Sequence, residues 1–238
     1  KNSHDINGIY TGQILEVGYP RIDLTIALPK VRQDFIREQL ELKKDTKIIF
    51  YAPTWRGTHG EINIDKEQLV TDLSRLTKIE NSTIVFRGHS LLESALGELK
   101  IPNVIILPKN IDTNEFLAIA NILITDYSSV FFDYFPTKNP VFYYTYDFDE
   151  YTESRGMYLN FGELPGTVCN NIDSLITELS LCISQEKSLS NSKLINELGF
   201  NQYDDGNATE RVISNIIELV INEVNYVSNV NKLDSSKS

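Results

Sequence analysis

The stretch Ile122-Leu123-Ile124-Thr125-Asp126-Tyr127-Ser128-Ser129-Val130-Phe131-Phe132-Asp133-Tyr134-Phe135 decides the fold. Ile122 to Thr125 form an apolar, β-branched run of the kind that is buried on both faces of a parallel sheet. Asp126 to Ser129 interrupt it with polar side chains, and a second apolar run carrying one carboxylate, Asp133, follows at once. A strand that turns directly into a helix presents unpaired amides and the positive end of the helix dipole at the carboxyl edge of its sheet. Phosphate is a natural ligand for such an edge. Ser128 and Ser129 are therefore candidate phosphate ligands, although the same hydroxyls also serve as helix caps.

Outward from this stretch the chain alternates. Apolar runs at Lys47 to Ala52, Thr83 to Phe86, Val104 to Leu107 and Pro140 to Tyr144 read as strands. Between them, helical spacing occurs at Pro29 to Leu42, Asp65 to Leu76, Leu91 to Leu99 and Asp112 to Ala120. A further short strand is expected at Gln13 to Val17, broken by Gly18-Tyr19-Pro20-Arg21. Ile172 to Ile183, Leu189 to Leu198 and Ala208 to Val224 have helical periodicity and no clear strand, and a polar tail follows. The fold class is α/β, a Rossmann-like parallel sheet with helices on both faces. In such sheets ligands sit beyond the carboxyl ends of the strands.

Three polar clusters fall at those ends. Pro53-Thr54-Trp55-Arg56-Gly57 follows the first strand, Arg87-Gly88-His89-Ser90 the second and Asp126-Tyr127-Ser128-Ser129 the fourth. Guanidinium forks, an imidazole, hydroxyls and helix-start amides are the groups that bind a diphosphate without a metal cage. Each has an ordinary structural use: Asp126 as a turn residue, Asp133 as partner of a nearby cation, Arg56 and Arg87 in surface ion pairs, His89 as a hydrogen-bonded histidine. Their shared placement favours a common site. The acidic run Asp147, Asp149, Glu150 and Glu153, interleaved with aromatics, reads as a lid or a solvated helix face.

Composition narrows the function classes. A net charge of −11 over 238 residues argues against nucleic acid as partner and against adhesion to anionic lipid. No apolar stretch approaches the roughly 20 residues that span a bilayer, and the first residues lack a signal-peptide pattern. Cys169 and Cys182 give neither a disulfide framework nor metal-ligand spacing, and a reducing cytoplasm suits them. No zinc motif, P-loop or Gly-x-Ser-x-Gly elbow is present, so neither a metal nor another cofactor is expected.

Taken in order, the motifs resemble the CDP-glycerol glycerophosphotransferases, which include the teichoic acid polymerases. The resemblance rests on Gly18-Tyr19-Pro20-Arg21 with Asp23, on Tyr51 to Gly57, on Arg87 and His89, and on Ile122 to Tyr134. It continues through Phe142 to Tyr158 and Tyr203-Asp204-Asp205-Gly206 with Arg211. It implies the carboxyl-terminal half of a GT-B-like architecture: residues 1–23 end the amino-terminal half, 24–226 form the donor domain, and 227–238 are a tail. It also implies transfer of glycerol phosphate from CDP-glycerol to a poly(glycerol phosphate) or lipid-linked acceptor, with release of CMP.

In that scheme Thr54, Arg56, Asp126, Ser128, Ser129, Asp133 and Arg155 bind the donor, and Arg87 and His89 neutralise charge developing toward CMP. Leu107 to Asp112 lies near the cytidine or ribose. A His-Gly motif carrying the family's general base has no counterpart before Gly18. The chain is therefore expected to supply the donor-binding half, with any membrane contact, at the inner face of the cell membrane, made through upstream segments. The alternatives are a GT-B nucleotide-sugar glycosyltransferase or epimerase, and a non-catalytic nucleotide-binding remnant.

Overall fold

Strand assignment follows apolar runs bounded by turn residues, and the structure, a computed structural model, describes residues 14–54, 65–88, 101–156, 160–184, 195 and 197–235. Six strands form one sheet: β1 (Lys47–Tyr51), β2 (Ser82–Phe86), β3 (Val104–Ile106), β4 (Ile122–Thr125), β5 (Val141–Tyr144) and β6 (Thr167–Cys169). Their order is β3-β2-β1-β4-β5-β6, and every pairing is parallel.

The period of two along each strand divides the core cleanly. Ile48, Phe50, Val85, Leu123 and Tyr143 enter one cluster, covered by Ile36, Phe116, Leu117, Phe131 and Tyr134. Ile49, Tyr51, Ile84, Ile124 and Phe142 enter the other, covered by Leu69, Leu73, Leu76, Leu175 and Leu179. The described helices are α1 (Pro20–Ala27), α2 (Lys30–Gln39), α3 (Lys66–Leu76), α4 (Thr113–Leu117), α5 (Val130–Tyr134), α6 (Phe148–Arg155), α7 (Ile172–Ser184) and α8 (Ala208–Ser235); α2, α4 and α5 supply the cover of the first cluster, α3 and α7 that of the second. Cys169 is a small core filler whose thiol is pushed up by burial to about 11.

Several expectations are corrected. Residues 14–17 form no strand; the Val17 carbonyl accepts a hydrogen bond from Arg211 Nε at 3.0 Å in place of a ladder partner. The turn expected at Gly18 to Arg21 opens α1, with Pro20 at its first position, where the missing N–H costs nothing. Helix α2 buries Ile36, with Leu40 beyond its end, whereas Val31 and Phe35 are exposed. Phe35 precedes Ile36 by one residue, roughly 100° round the helix, so only one of the two apolar rows faces the sheet.

Strand β6 carries no clear sequence signal, because it has three residues and leaves Val168 exposed. Helix α8 continues through Ser235, past its expected end at Val224, because extending an established helix is easier than nucleating one. The helix expected at Leu91 to Leu99 lies outside the described residues, as does most of Leu189 to Leu198. Among the described residues no helix is long and apolar enough to cross a membrane.

Candidate functional site

Strand order reverses between β1 and β4, because β1 is followed in space by β2 on one side and β4 on the other. Loops leaving neighbouring strands on opposite sides of such a reversal open a crevice at the carboxyl edge. The residues that follow β2, β1 and β4 thus lie on adjacent strands, as the polar clusters required.

The crevice is braced by hydrogen bonds that extend the ladders. Ala52 N donates to the Ile124 carbonyl at 2.9 Å, and Thr125 Oγ1 donates to the Ala52 carbonyl at 2.8 Å. Asp126, 2% exposed, then accepts the Thr54 amide on Oδ1 at 2.7 Å. Its carboxylate therefore ties the loop after β1 to the loop after β4.

Ser128 and Ser129 sit at the mouth of α5. Ser128 Oγ accepts the Val130 amide at 3.3 Å, whereas Ser129 makes no side-chain cap bond and is exposed. With only five residues, α5 carries a weaker dipole than the sequence implied, so local amides and hydroxyls dominate at this edge. Ser129 borders a cleft of about 750 Å³, shared with Tyr19, Arg21, Phe132 and Asp204. A second cavity, about 660 Å³, lies beyond β5 and β6, bordered by Asp65, Gln68, Thr145, Tyr146 and Asn170.

Arg87 continues β2, its amide donating to the Tyr51 carbonyl at 3.0 Å. Its Nη2 donates to the carbonyls of Pro108 and Ile111 at 3.0 and 2.9 Å, so the guanidinium gathers the loop after β3 that was assigned to the cytidine side. Asp112 closes that loop by accepting the Asn114 amide at 2.7 Å, capping α4 as read from the sequence. Asp133, 8% exposed, meets Arg21 in a two-point fork, Nη2 to Oδ1 at 3.0 Å and Nε to Oδ2 at 2.9 Å. Of the uses weighed for it, the structure places it in the cation pair. Arg155 ends α6 and is exposed. Arg56 and His89 lie outside the described residues.

Two features were not legible in the motifs. Tyr127, one of the four residues of the polar cluster after β4, packs against α6 in an aromatic group with Tyr151, Phe148 and Phe161. The aromatic interleaving of the acidic run was its only trace in the sequence. The motifs at Gly18 to Asp23 and Tyr203 to Arg211 are one structure: Asp23 accepts the first amides of α8, and Asp204 Oδ1 accepts the Tyr19 amide at 2.8 Å. Among the described residues no group of three or more His, Cys, Asp or Glu side chains is arranged to hold a metal ion.

This arrangement has close relatives. The chain is 38% identical over 180 residues to the teichoic acid poly(glycerol phosphate) polymerase of Staphylococcus epidermidis, covering 70% of this chain and 24% of that protein. It is 31% identical over 221 residues to the teichoic acid glycerol-phosphate transferase of Staphylococcus aureus, covering 87% of this chain and 54% of that protein. Among solved structures, the wall teichoic acid polymerase TagF soaked with CDPG superposes with a TM-score of 0.73 at 34% identity, over 89% of this chain and 52% of that one. A UDP-N-acetylglucosamine 2-epimerase from Listeria monocytogenes, at 18% identity and a TM-score of 0.52, shares the fold alone. The chain spans at most about half the length of the teichoic acid relatives named here. Residues 4–218 match the family model of the CDP-glycerol:poly(glycerophosphate) glycerophosphotransferases, and the chain belongs to that family.

Proposed function

We infer that this chain forms the donor-binding part of an enzyme that transfers glycerol phosphate from CDP-glycerol to a poly(glycerol phosphate) or lipid-linked acceptor. The observation that carries the reading is the adjacency of the carboxyl ends of β2, β1 and β4, the strands that the three polar clusters follow in sequence, at the reversal of strand order. An acceptor hydroxyl attacks the phosphorus that bears glycerol, the bond to the CMP oxygen breaks, and CMP leaves. Catalysis of such a step rests on placing donors around charge that moves to the leaving group.

Ser128 and Ser129, with the amides at the start of α5, hold the diphosphate. Arg87 and His89 face the leaving group, and Thr54, Arg56 and Arg155 complete the donor contacts. Asp126 and Asp133 act one layer back, through Thr54 and Arg21. Transfer of glycerol phosphate to an acceptor that grows on a lipid carrier fits a full-length protein working at the inner face of the cell membrane.

Equilibrium binding to CDP-glycerol, compared with a panel of UDP- and GDP-sugars, tests the reading. CDP-glycerol is expected to bind best, and the double variant Ser128→Ala with Ser129→Ala is expected to weaken it while the chain stays folded. Preference for a UDP-sugar would move the protein to the nucleotide-sugar enzymes that share its fold. Unchanged affinity in the double variant would remove the two serines from the phosphate site.

A further inference from the structure

Helix α6 has an unusual relation to the rest of the molecule. It buries none of its residues, and it carries Asp149, Glu150 and Glu153 with a single cation, Arg155, in its last turn. Left to itself such a helix would be solvated, and its carboxylates would repel a diphosphate. What holds it is Tyr127, from the loop between β4 and α5. The Tyr127 ring, 9% exposed, stacks on Tyr151 with centroids 3.8 Å apart and planes at 20°, and meets the edge of Phe161 at 5.9 Å. Its hydroxyl donates to Asp147 Oδ1 at 3.0 Å. Asp147 immediately precedes α6, yet its side chain makes no capping bond to that helix. One turn beyond Tyr151, the Arg155 guanidinium carbon lies 6.0 Å from the Tyr151 ring centroid. Tyr127, Tyr151 and Arg155 therefore form one continuous stack, running from the loop of Ser128 and Ser129 to the only cation of α6.

We propose that Tyr127 is a positioning residue that latches α6 to the loop of residues 126–129 and so holds Arg155 beside the donor phosphates. The proposal rests on the donor reading given above. Tyr127 touches no reacting atom; it acts through Tyr151 on Arg155. The latch explains why an acidic helix is kept next to an anion site: the last-turn arginine is the group it delivers. The hydroxyl bond to Asp147 sets where the helix starts, and the ring stack sets how its last turn is aimed.

The test uses the full chain and two measurements. Without nucleotide, amide hydrogen exchange across residues 148–155 is expected to quicken in Tyr127→Leu and to change little in Tyr127→Phe, which keeps the stack. Unchanged exchange in Tyr127→Leu overturns the latch. With CDP-glycerol, Tyr127→Leu and Arg155→Gln are each expected to weaken binding about tenfold or more, the scale of a lost charged hydrogen bond, and the double variant is expected to be no worse than either. Losses that multiply in the double variant would show that Tyr127 does not work through Arg155. Tyr151→Leu breaks the same stack from the α6 side and gives the same readouts if Tyr127→Leu does not fold. If the wild-type chain does not bind CDP-glycerol, the donor reading and Arg155's part in it fall together, while the exchange measurement still decides whether the latch exists.

Discussion

The carboxylate of Asp23 accepts the amide of Thr209 at 2.7 Å on Oδ2, and the amide of Ala208 at 3.0 Å on Oδ1. A residue of α1 thus caps α8 from 185 positions away in the chain. It satisfies two of the four amides that a helix start leaves open, and places a negative charge at the positive end of a 28-residue helix. Replacing Asp23 by Ala is expected to cost about 1–2 kcal/mol in denaturant unfolding, as loss of a cap does. Asp23→Asn, which still accepts hydrogen bonds, is expected to lose less, and CDP-glycerol affinity is expected to hold in both.

The same junction sets an acid limit. The Arg211 hydrogen bond to Asp205, supported by the Asn207 amide, holds the Asp205 carboxyl down at about 2. For Asp23, burial pushes upward but is outweighed by hydrogen bonds from Thr209 and Ala208 and by Arg211, so its carboxyl also lies below the usual range. Groups depressed in the folded chain contribute stability that is complete above their unfolded values. That contribution disappears as pH falls through the folded ones. Unfolding midpoints are therefore expected to fall between about pH 4 and about pH 2, and Asp205→Asn is expected to flatten the lower part of that fall. A profile identical to wild type would take Asp205 out of the account.

Gly18 sits where the segment leading into α1 meets the segment leading into α8. Its φ is +86°, and a Cβ there would lie 2.4 Å from the Tyr203 carbonyl oxygen. Gly199, at φ +69°, has open space around it. Gly18→Ala is expected to cost about 2–4 kcal/mol, strain and collision together, and Gly199→Ala about 1–2 kcal/mol from backbone strain alone. Thermal melting of the two variants side by side separates the terms, and equal losses would mean that the Tyr203 backbone gives way.

The sheet was legible because its signal is local: Ile48 and Phe50 alternate with Ile49 and Tyr51 in sequence as they do in space. The crevice followed, since strand ends can be read once strands are found. What escaped depends on partners far along the chain. Nothing local distinguishes Val17, whose carbonyl is taken by Arg211, from a residue in a strand. Tyr127 looks like any aromatic in an apolar run until Tyr151 is folded against it. Asp133 presented the same difficulty: a carboxylate one turn past two serines looks available until Arg21 is placed beside it. The motif residues were found, but which of them meet a ligand and which brace those that do is a property of tertiary structure.

Asp126 is expected to separate two kinds of loss. Asp126→Ala leaves the half-buried Thr54 amide without this acceptor and is expected to cost about 1–3 kcal/mol. Because the bond joins the loops on either side of the crevice, CDP-glycerol binding is expected to weaken as well. Asp126→Asn keeps an acceptor and is expected to recover most of both. Full recovery of stability with binding still lost would mean that the charge itself matters to the donor.

The fork between Arg21 and Asp133 distinguishes bracing from donor contact by its asymmetry. Asp133 is nearly buried, whereas the Arg21 side chain is 56% exposed, so removing one partner does not mirror removing the other. Arg21→Ala strands a carboxylate with little water to replace its partner, and is expected to cost about 1–3 kcal/mol, below the range for fully buried pairs. Changing both, Arg21→Met with Asp133→Leu, removes the stranded charge and is expected to cost less than Arg21→Ala alone. If Asp133 only braces α5 against α1, Asp133→Asn lowers stability while CDP-glycerol affinity stays within about twofold, well under the ~1.4 kcal/mol that a tenfold change represents. A loss of affinity larger than the loss of stability would instead put the Asp133 carboxylate in contact with the donor.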